Sequence, residues 1–398
     1  MSKCRLCGAN SLKSIALITN IPVLNSLRQT PKDALAQKRA DLFLASCLNC
    51  GLVQQREALA PEELYVETIN YNGNWRFQPH IPEQLALLKQ FTPFHSAIEV
   101  GAGTGGFLRA LKNAGMPKVV GLEANRKTTS SSTDAPDDIT IVDGLLSESV
   151  CRRIVRENGR FQMLIARHVL EHLLDFEQFF HCADLILEDG GYIFIEVPDL
   201  SVGHIPPGSA FTFCFHEHLS YFTASTLSEL FRRYGYTGQH LIKDYRGGGV
   251  LMLLASKNAL PASSQAIIPE RFDVEFGEQI NNYLTEIRTL AADAKDDGFS
   301  IVLYGAGLRG LVFINTSGLA GDIVGILDDV PAKHGLYLPG CPQVITPVSD
   351  IARFKKALVF LAIQPEWEEE AIDRLLKNRR GVLTIIPILS NRSHITMQ

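Results

Sequence analysis

Four of the eight cysteines stand in two pairs, Cys4/Cys7 in CRLCG and Cys47/Cys50 in CLNCG. A Cys-x-x-Cys knuckle aims two sulfurs at one ion, and two knuckles complete the closed four-sulfur shell of structural zinc. Unrelated redox or free thiols are the alternative, and they do not require this paired spacing with a trailing glycine. With all four positions filled by protein, the metal should hold structure rather than perform chemistry. Cys151, Cys182, Cys214 and Cys341 are scattered singly and suit the role of small buried hydrophobes.

The second chemical signal is AIEVGAGTGGFL. Glu99 lies at the end of a strand-like run, and Gly101, Ala102, Gly103 and Gly105 form a tight turn into a helix. Glycines there admit unusual dihedrals and let a ligand approach the backbone. Glu123 ends the next strand, about 20 residues on, where a carboxylate can accept hydrogen bonds from a ribose diol. NAD and S-adenosylmethionine (SAM) both use this logic. SAM is favoured by the acid inside E-x-G-x-G-x-G, and by VDG after the following strand. There Asp143, beside Gly144, can meet an adenine amino group. LIARHVLEHL then supplies Arg167 and His168 at the strand-to-helix corner flanking a methyl donor.

FHEHLSYFT carries the third signal: His216, Glu217, His218 and Tyr221, with His172 beside Glu171 in HVLEHL. Imidazoles titrate near neutral pH and can take a proton from an acidic carbon or a hydroxyl. A helix cap and a packed histidine are the bland reading, but two clusters flanking one SAM pocket favour catalysis or substrate binding. These histidines show no convincing spacing for a second zinc site. YRGGGVL suits a backbone approach to substrate and a hairpin equally. YGAGLRG gives a G-x-G-x-x-G at Gly305, Gly307 and Gly310, with Asp328 downstream. It fits a nucleotide-bearing substrate or an empty Rossmann-like scaffold.

Strand-like runs (SAIEV, KVVGLEAN, DITIVDG, QMLIARH, GGYIFIEVPD) alternate with helix-like runs to position these residues, which predicts a parallel α/β sheet. A second α/β unit follows a long helix expected from near residue 263. The stretch between the cysteine pairs reads as polar and irregular. The expected division is a zinc-binding domain over 1–66, a SAM-dependent methyltransferase domain over 67–262 and a C-terminal Rossmann-like domain over 263–398.

The chain has 398 residues, which favours two or three domains. Its net charge of −5 argues against a nucleic-acid binder driven by phosphate attraction. No apolar run reaches the ~20 residues of a membrane span, and MSKCRLCG has no signal-peptide core. The cytoplasm is the expected compartment.

The whole pattern resembles the bacterial sugar C-methyltransferases of deoxysugar biosynthesis. CRLCG with CLNCGLVQ resembles their zinc module. IEVGAGTGGFL, HVLEHL and IEVPD resemble their SAM domain, HEHLSYFT their active-site segment, and GAGLRG with DDVPAKHGLYLPGC their C-terminal module. The resemblance implies a nucleotide-linked 4-keto sugar as substrate and a monomeric enzyme. It implies deprotonation beside the ketone and methyl transfer from SAM to carbon, with carbon 3 the first expectation. It makes His218 the base and Glu217 its neighbour, and gives His172 the ketone or the sugar. Tyr71, in NYNGNW, becomes an active-site tyrosine. Two departures stand out. Phe215 occupies the tyrosine position of the family's Tyr-x-Glu-His, and RGGGVL replaces the usual HGGSLR. Methylation of oxygen or nitrogen on a small metabolite, a zinc-containing scaffold with an inactive SAM fold, and an NAD-dependent reductase are the competing readings.

Overall fold

The computed structural model describes residues 3–64, 81–124, 139–201, 209–244, 249–258, 270–390 and 395–397. The stretch between the cysteine pairs, expected to be irregular, forms two long strands, β1 (Leu12–Pro22) and β2 (Arg39–Cys47). They pair antiparallel from Leu12↔Cys47 to Pro22↔Arg39, with register shifts between Ser14 and Ala16 and between Ile18 and Ile21. Each shift breaks the period-two alternation by which a strand is recognised in sequence. β3 (Val53–Gln55) follows the second cysteine pair and pairs with β2.

The second sheet is built from β4 (Ser96–Val100), β5 (Lys118–Glu123), β6 (Thr140–Asp143), β7 (Phe161–Arg167) and β8 (Leu187–Pro198). β9 (Ser220–Tyr221) leaves this unit to pair with β3 in the first sheet. β10 (Gly238–Asp244) and β11 (Val250–Ser256) then return antiparallel, giving the order β10-β11-β8-β7-β4-β5-β6. β4 pairs in parallel with both β5 and β7, so the chain reverses its direction of winding at β4. In open α/β sheets, that switch point at the carboxyl ends of the strands is where ligands bind. Helices Gly106–Asn113, Glu148–Asn158 and Phe176–Ile186 are the crossovers, as their sequence periodicity predicts.

The C-terminal sheet contains β12 (Ser300–Tyr304), β13 (Ile323–Leu327), β14 (Ile345–Thr346), β15 (Lys356–Leu361), β16 (Val382–Pro387) and β17 (Ile395–Met397), in the order β14-β13-β12-β15-β16-β17. The helix leading into it runs over Val274–Asp296. It starts later than the sequence suggests because the Asp273 side chain accepts the Glu275 N–H and caps it there; residues 270–273 are not helical.

Two cores join the three units. Ile15, Ile21 and Leu44 of the first sheet pack with Phe211, with Phe276 and Ile280 of the long helix, and with Leu311 and Phe360 of the C-terminal unit. On the other side, Cys4, Leu6, Cys47 and Leu52 pack into one cluster with Leu227 and Phe231. The cysteine-bearing unit is thus a wedge sharing apolar surface with both α/β units. Among the described residues, no helix is long and apolar enough to cross a membrane.

Candidate active site

Cys4, Cys7, Cys47 and Cys50 converge, with their four sulfurs all within 4.8 Å of one another. Cys4 Sγ lies 3.5 Å from Cys50 Sγ, and Cys7 Sγ 3.6 Å from Cys47 Sγ. Four ligands at a Zn–S distance of about 2.3 Å would stand about 3.8 Å apart, so the shell fits zinc with little adjustment. The hydrogen bond from Cys50 holds the Cys4 thiol down at about 5, against the opposing effect of burial, and the same bond pushes Cys50 up. So crowded a set of sulfurs ionises together only around a cation. Backbone turns support each knuckle: Gly8 N–H donates to Cys4 O and Gly51 N–H to Cys47 O, both at 2.8 Å.

At the switch point, Gly101, Gly103 and Gly105 all take positive φ (72°, 55° and 80°). A side chain at Gly101 would bring its Cβ to 2.6 Å from Val169 Cγ2. Gly101 and Ala102 donate their N–H groups to Leu122 O, and Gly103 N–H donates to Glu123 Oε2 at 2.8 Å. The helix Gly106–Asn113 has no side-chain cap at Gly105. Its amino end therefore faces the turn with its own backbone. Glu123 pairs in register with Asp143, and Gly144 N–H donates to Glu123 O, so the two acids stand side by side at the strand ends. Glu99 is buried, and its Oε2 has no hydrogen-bond partner among the described residues. Burial outweighs the nearby Arg167 and pushes its carboxyl up to about 8. An orphaned buried carboxylate beside a glycine cradle fits a cationic ligand such as the methionyl end of SAM.

Beyond this turn lies a network of acids and bases. Arg167 lays its guanidinium on the Phe107 ring, 4.3 Å from the centroid, and reaches Glu196 Oε1 at 3.4 Å. Glu196, fully buried on β8, also accepts from Gln84 Nε2 and from His168 Nε2, the latter at 2.9 Å. The second ring nitrogen of His168 stands 3.4 Å from Glu171 Oε1. Burial alone would lower the His168 pKa, but these two carboxylates raise it to about 9. His168 takes φ 52°, which is rare for a residue with a side chain.

Glu171, His172 and His218 gather their ligand atoms within 4.8 Å. His218 Nε2 faces Glu171 Oε1 at 4.0 Å, and the two imidazoles meet edge to face at 4.9 Å. His172 Nδ1 donates to the Glu217 carbonyl at 2.9 Å. Burial lowers the pKa of His172, and that of His218 well below the ordinary value; the neighbouring His172 imidazole and the charged His168 add to the effect at His218. Both rings are therefore neutral at neutral pH. His172, with its proton fixed on Nδ1, keeps a lone pair on Nε2.

Other expected residues stand apart from this cluster. His216 turns toward the backbone of Ile21 and Ala40 in the first sheet. Tyr221 is buried with its hydroxyl toward Phe215 O at 3.5 Å, its ring 6.2 Å from that of His218. The Phe215 ring packs on the base, 3.8 Å from the His218 centroid. Glu217 meets the cluster through its backbone carbonyl, and the carboxylate facing His218 is that of Glu171. Tyr71 and residues 245–248 of the YRGGGVL segment lie outside the described residues. Glu171, Glu196, Gln84 and Gln55 were not singled out in the sequence; Glu171 lies inside HVLEHL and Glu196 inside IEVPD, while the two glutamines carried no signal.

The C-terminal glycine turn is largely accounted for by packing. A Cβ at Gly305 would lie 2.7 Å from Ala362 O, and one at Gly310 would lie 2.1 Å from Gly305 O. Asp328 is occupied internally, accepting from Ala306 N–H and Lys333 Nζ, both at 2.8 Å. The helix after the turn, Leu308–Thr316, packs on the turn Ser209–Phe213, and the Arg309 guanidinium lies 4.4 Å from the Phe213 centroid.

Three family models match the chain in succession. They describe a zinc binding domain over residues 4–65, a methyltransferase domain over 68–241 and a C-methyltransferase C-terminal domain over 268–388. The C-methyltransferase NovU of Streptomyces niveus is 26% identical over 365 residues, covering 85% of this chain and 84% of NovU. Among solved structures, the Burkholderia thailandensis 1,6-didemethyltoxoflavin-N1-methyltransferase, with bound 1,6-didemethyltoxoflavin and S-adenosylhomocysteine, is 16% identical. It covers 53% of this chain and 97% of its own, with a TM-score of 0.38. A SAM-dependent methyltransferase from Mesorhizobium loti is 14% identical and covers 44% and 96%, with a TM-score of 0.34. Likenesses at these values decide nothing about substrate. Its three matched modules in order, and a relative matched along most of both chains, make the chain a SAM-dependent C-methyltransferase with a zinc-binding N-terminal unit.

Proposed function

We propose that the enzyme methylates carbon 3 of a nucleotide-linked 4-keto sugar. The observation that carries this reading is a buried, neutral His218 whose Nε2 stands 4.0 Å from the Glu171 carboxylate. His218 takes the proton from the carbon beside the ketone, and Glu171 then pairs with the imidazolium that forms. Bound SAM supplies an electrophilic methyl carbon, which the enolate carbon takes as the sulfur–methyl bond breaks. Glu99, Glu123 and Asp143, with the turn Gly101–Gly105, would hold that cofactor, and Arg167 pairs with the buried Glu196. His172 accepts a hydrogen bond from a sugar hydroxyl. Its Nδ1 proton is committed to Glu217 O, so Nε2 has no proton to offer the ketone.

The nucleotide lies between the methyltransferase and C-terminal units, where Arg309 meets Phe213. The domain limits fall near residues 66 and 262, a division that the order of the three matched family models supports. The enzyme acts as a monomer in the cytoplasm, a reducing compartment that suits four zinc-binding thiolates. The test is incubation with methyl-labelled SAM and a panel of nucleotide-linked 4-keto sugars, read by mass spectrometry and carbon NMR. A new methyl on carbon, absent with His218→Asn, supports the reading. A methyl on oxygen or nitrogen discards the enolate route.

A further inference from the structure

The segment Phe215–Leu219 carries the base yet has no regular secondary structure of its own. Its backbone groups must find partners elsewhere. Five consecutive carbonyls find them. Gln55 Nε2 stands 3.0, 2.9 and 2.7 Å from Phe215 O, His216 O and His218 O, its two hydrogens shared among the three acceptors. Glu217 O accepts from His172. Leu219 O accepts from Gln55 N–H at 3.0 Å and from Arg5 Nη1 at 2.8 Å. Four of the five are therefore held by the zinc-binding unit, and three of those by one side chain.

The link to the metal is short. Arg5 lies inside the first knuckle, between Cys4 and Cys7. It also donates from Nη1 to Gln55 O at 3.0 Å. β3 begins three residues after Cys50, and its adjacent glutamines point to opposite faces, as strand residues must. Gln54 Oε1 accepts Arg5 N–H at 2.8 Å and Gln54 Nε2 donates to Lys3 O at 3.2 Å, gripping the first knuckle. Gln55 faces the other way and grips the catalytic segment. Both glutamines are buried, where an amide is costly unless its hydrogen bonds are made.

We infer that Gln55 is a positioning residue for His218, and that the zinc-bound knuckles set the place of the base through Arg5, Gln54 and Gln55. The zinc unit is then part of how the reaction centre is built, although the metal touches no reacting atom. The inference rests on His218 as the base, but its structural test needs no substrate.

The first experiment is hydrogen exchange read by mass spectrometry on the full-length protein with SAM present, zinc-loaded and after chelation. Peptides covering 215–221 should exchange about tenfold faster, or more, without zinc, along with the knuckles at 4–8 and 47–52, while β4 and β7 stay protected. Retained protection at 215–221 beside unprotected knuckles would overturn the inference. The second experiment uses Gln55→Met, which leaves the thiols and the side-chain length intact but removes the donor. Zinc content and SAM affinity should be unchanged. The His218 Cε1–H NMR signal, assigned with His218→Asn, should move, while those of surface His95 and His181 stay. The kcat for methyl transfer should fall about 100-fold with the KM for SAM unchanged, as a displacement of about 1 Å can produce. An unmoved His218 signal and an unchanged kcat would overturn the inference. A moved signal in an enzyme that methylates none of the 4-keto sugars would leave the positioning role standing and sink the substrate reading alone.

Discussion

Binding SAM should cost this enzyme a proton, and the cost can be worked from Glu99. Its carboxyl is buried at the switch point and sits at about 8 because burial outweighs the attraction of Arg167. An acid at about 8 is about nine-tenths protonated at pH 7, and the cationic methionyl end of SAM calls for the ionised form. Binding at pH 7 should therefore release about 0.9 proton. Because affinity is linked to that release, the apparent Kd should fall about ninefold between pH 6 and pH 7. Staying at or below pH 7 keeps the ligand's own α-amino group, which titrates near 7.7–8.0, mostly protonated throughout. Calorimetry in buffers of different ionisation enthalpy reads the proton count directly, and titrations at the two pH values read the slope. Glu99→Gln should abolish both signals while retaining the fold. A wild-type Kd that does not change between pH 6 and 7, with heats independent of buffer, would refute the placement of Glu99 against the ligand's charge.

Gly101→Ala should lower stability by about 1–3 kcal/mol in thermal or urea unfolding, since it forces φ 72° on a side chain whose Cβ meets Val169 Cγ2 at 2.6 Å. Glu171→Gln keeps the shape but removes the partner of the His218 imidazolium. The kcat should fall about 10- to 100-fold with the KM for SAM nearly unchanged, and an unaltered kcat would remove Glu171 from the mechanism. Urea unfolding should show stability falling as pH drops below about 6.5. Burial holds His172, His216 and His218 below their unfolded values, so below 6.5 the unfolded chain binds protons that the folded chain refuses. His168 runs the other way: raised to about 9, it contributes stability fully below 6.5 and loses it as pH rises through 9. Glu99 loses its contribution between about 4.5 and 8, but one carboxyl does not outweigh three imidazoles on the acid side.

What could be read in the sequence was what neighbours in sequence do together. The cysteine pairs, the glycine turn with Glu99, and Glu123 one strand later are short-range patterns, and each lies where its spacing places it. β1 and β2 were illegible because two register shifts scramble their alternation. In HEH, His216 and His218 look equivalent, yet the turn closed by His218 N–H on Phe215 O sends one toward the first sheet and the other into the cluster. Gln84 and Gln55 gave no signal at all. One is a polar residue on an amphipathic helix and the other ends a three-residue strand, and their partners lie 112 and about 160 residues away. A lone glutamine becomes informative only when the groups it satisfies are known.

The cluster also answers a difficulty in using histidine as a buried base. A carboxylate close enough to stabilise the imidazolium after proton transfer would ordinarily raise the pKa beforehand and leave the base already protonated. Here His168 intervenes. It stands between Glu171 and Glu196, 3.4 and 2.9 Å from their oxygens, and carries a proton well into the alkaline range. Burial does most to keep a proton off His218 and the His168 charge adds to it, so the base waits neutral beside Glu171. Once His218 accepts a proton, Glu171 is already 4.0 Å away. The left-handed backbone at His168 is the cost of inserting a cation there, and such strain persists only where its surroundings over-determine it. Here the His168 N–H donates to the backbone oxygen of the same Glu196 whose carboxylate holds the ring, so one buried residue fixes the strained backbone and the charge together.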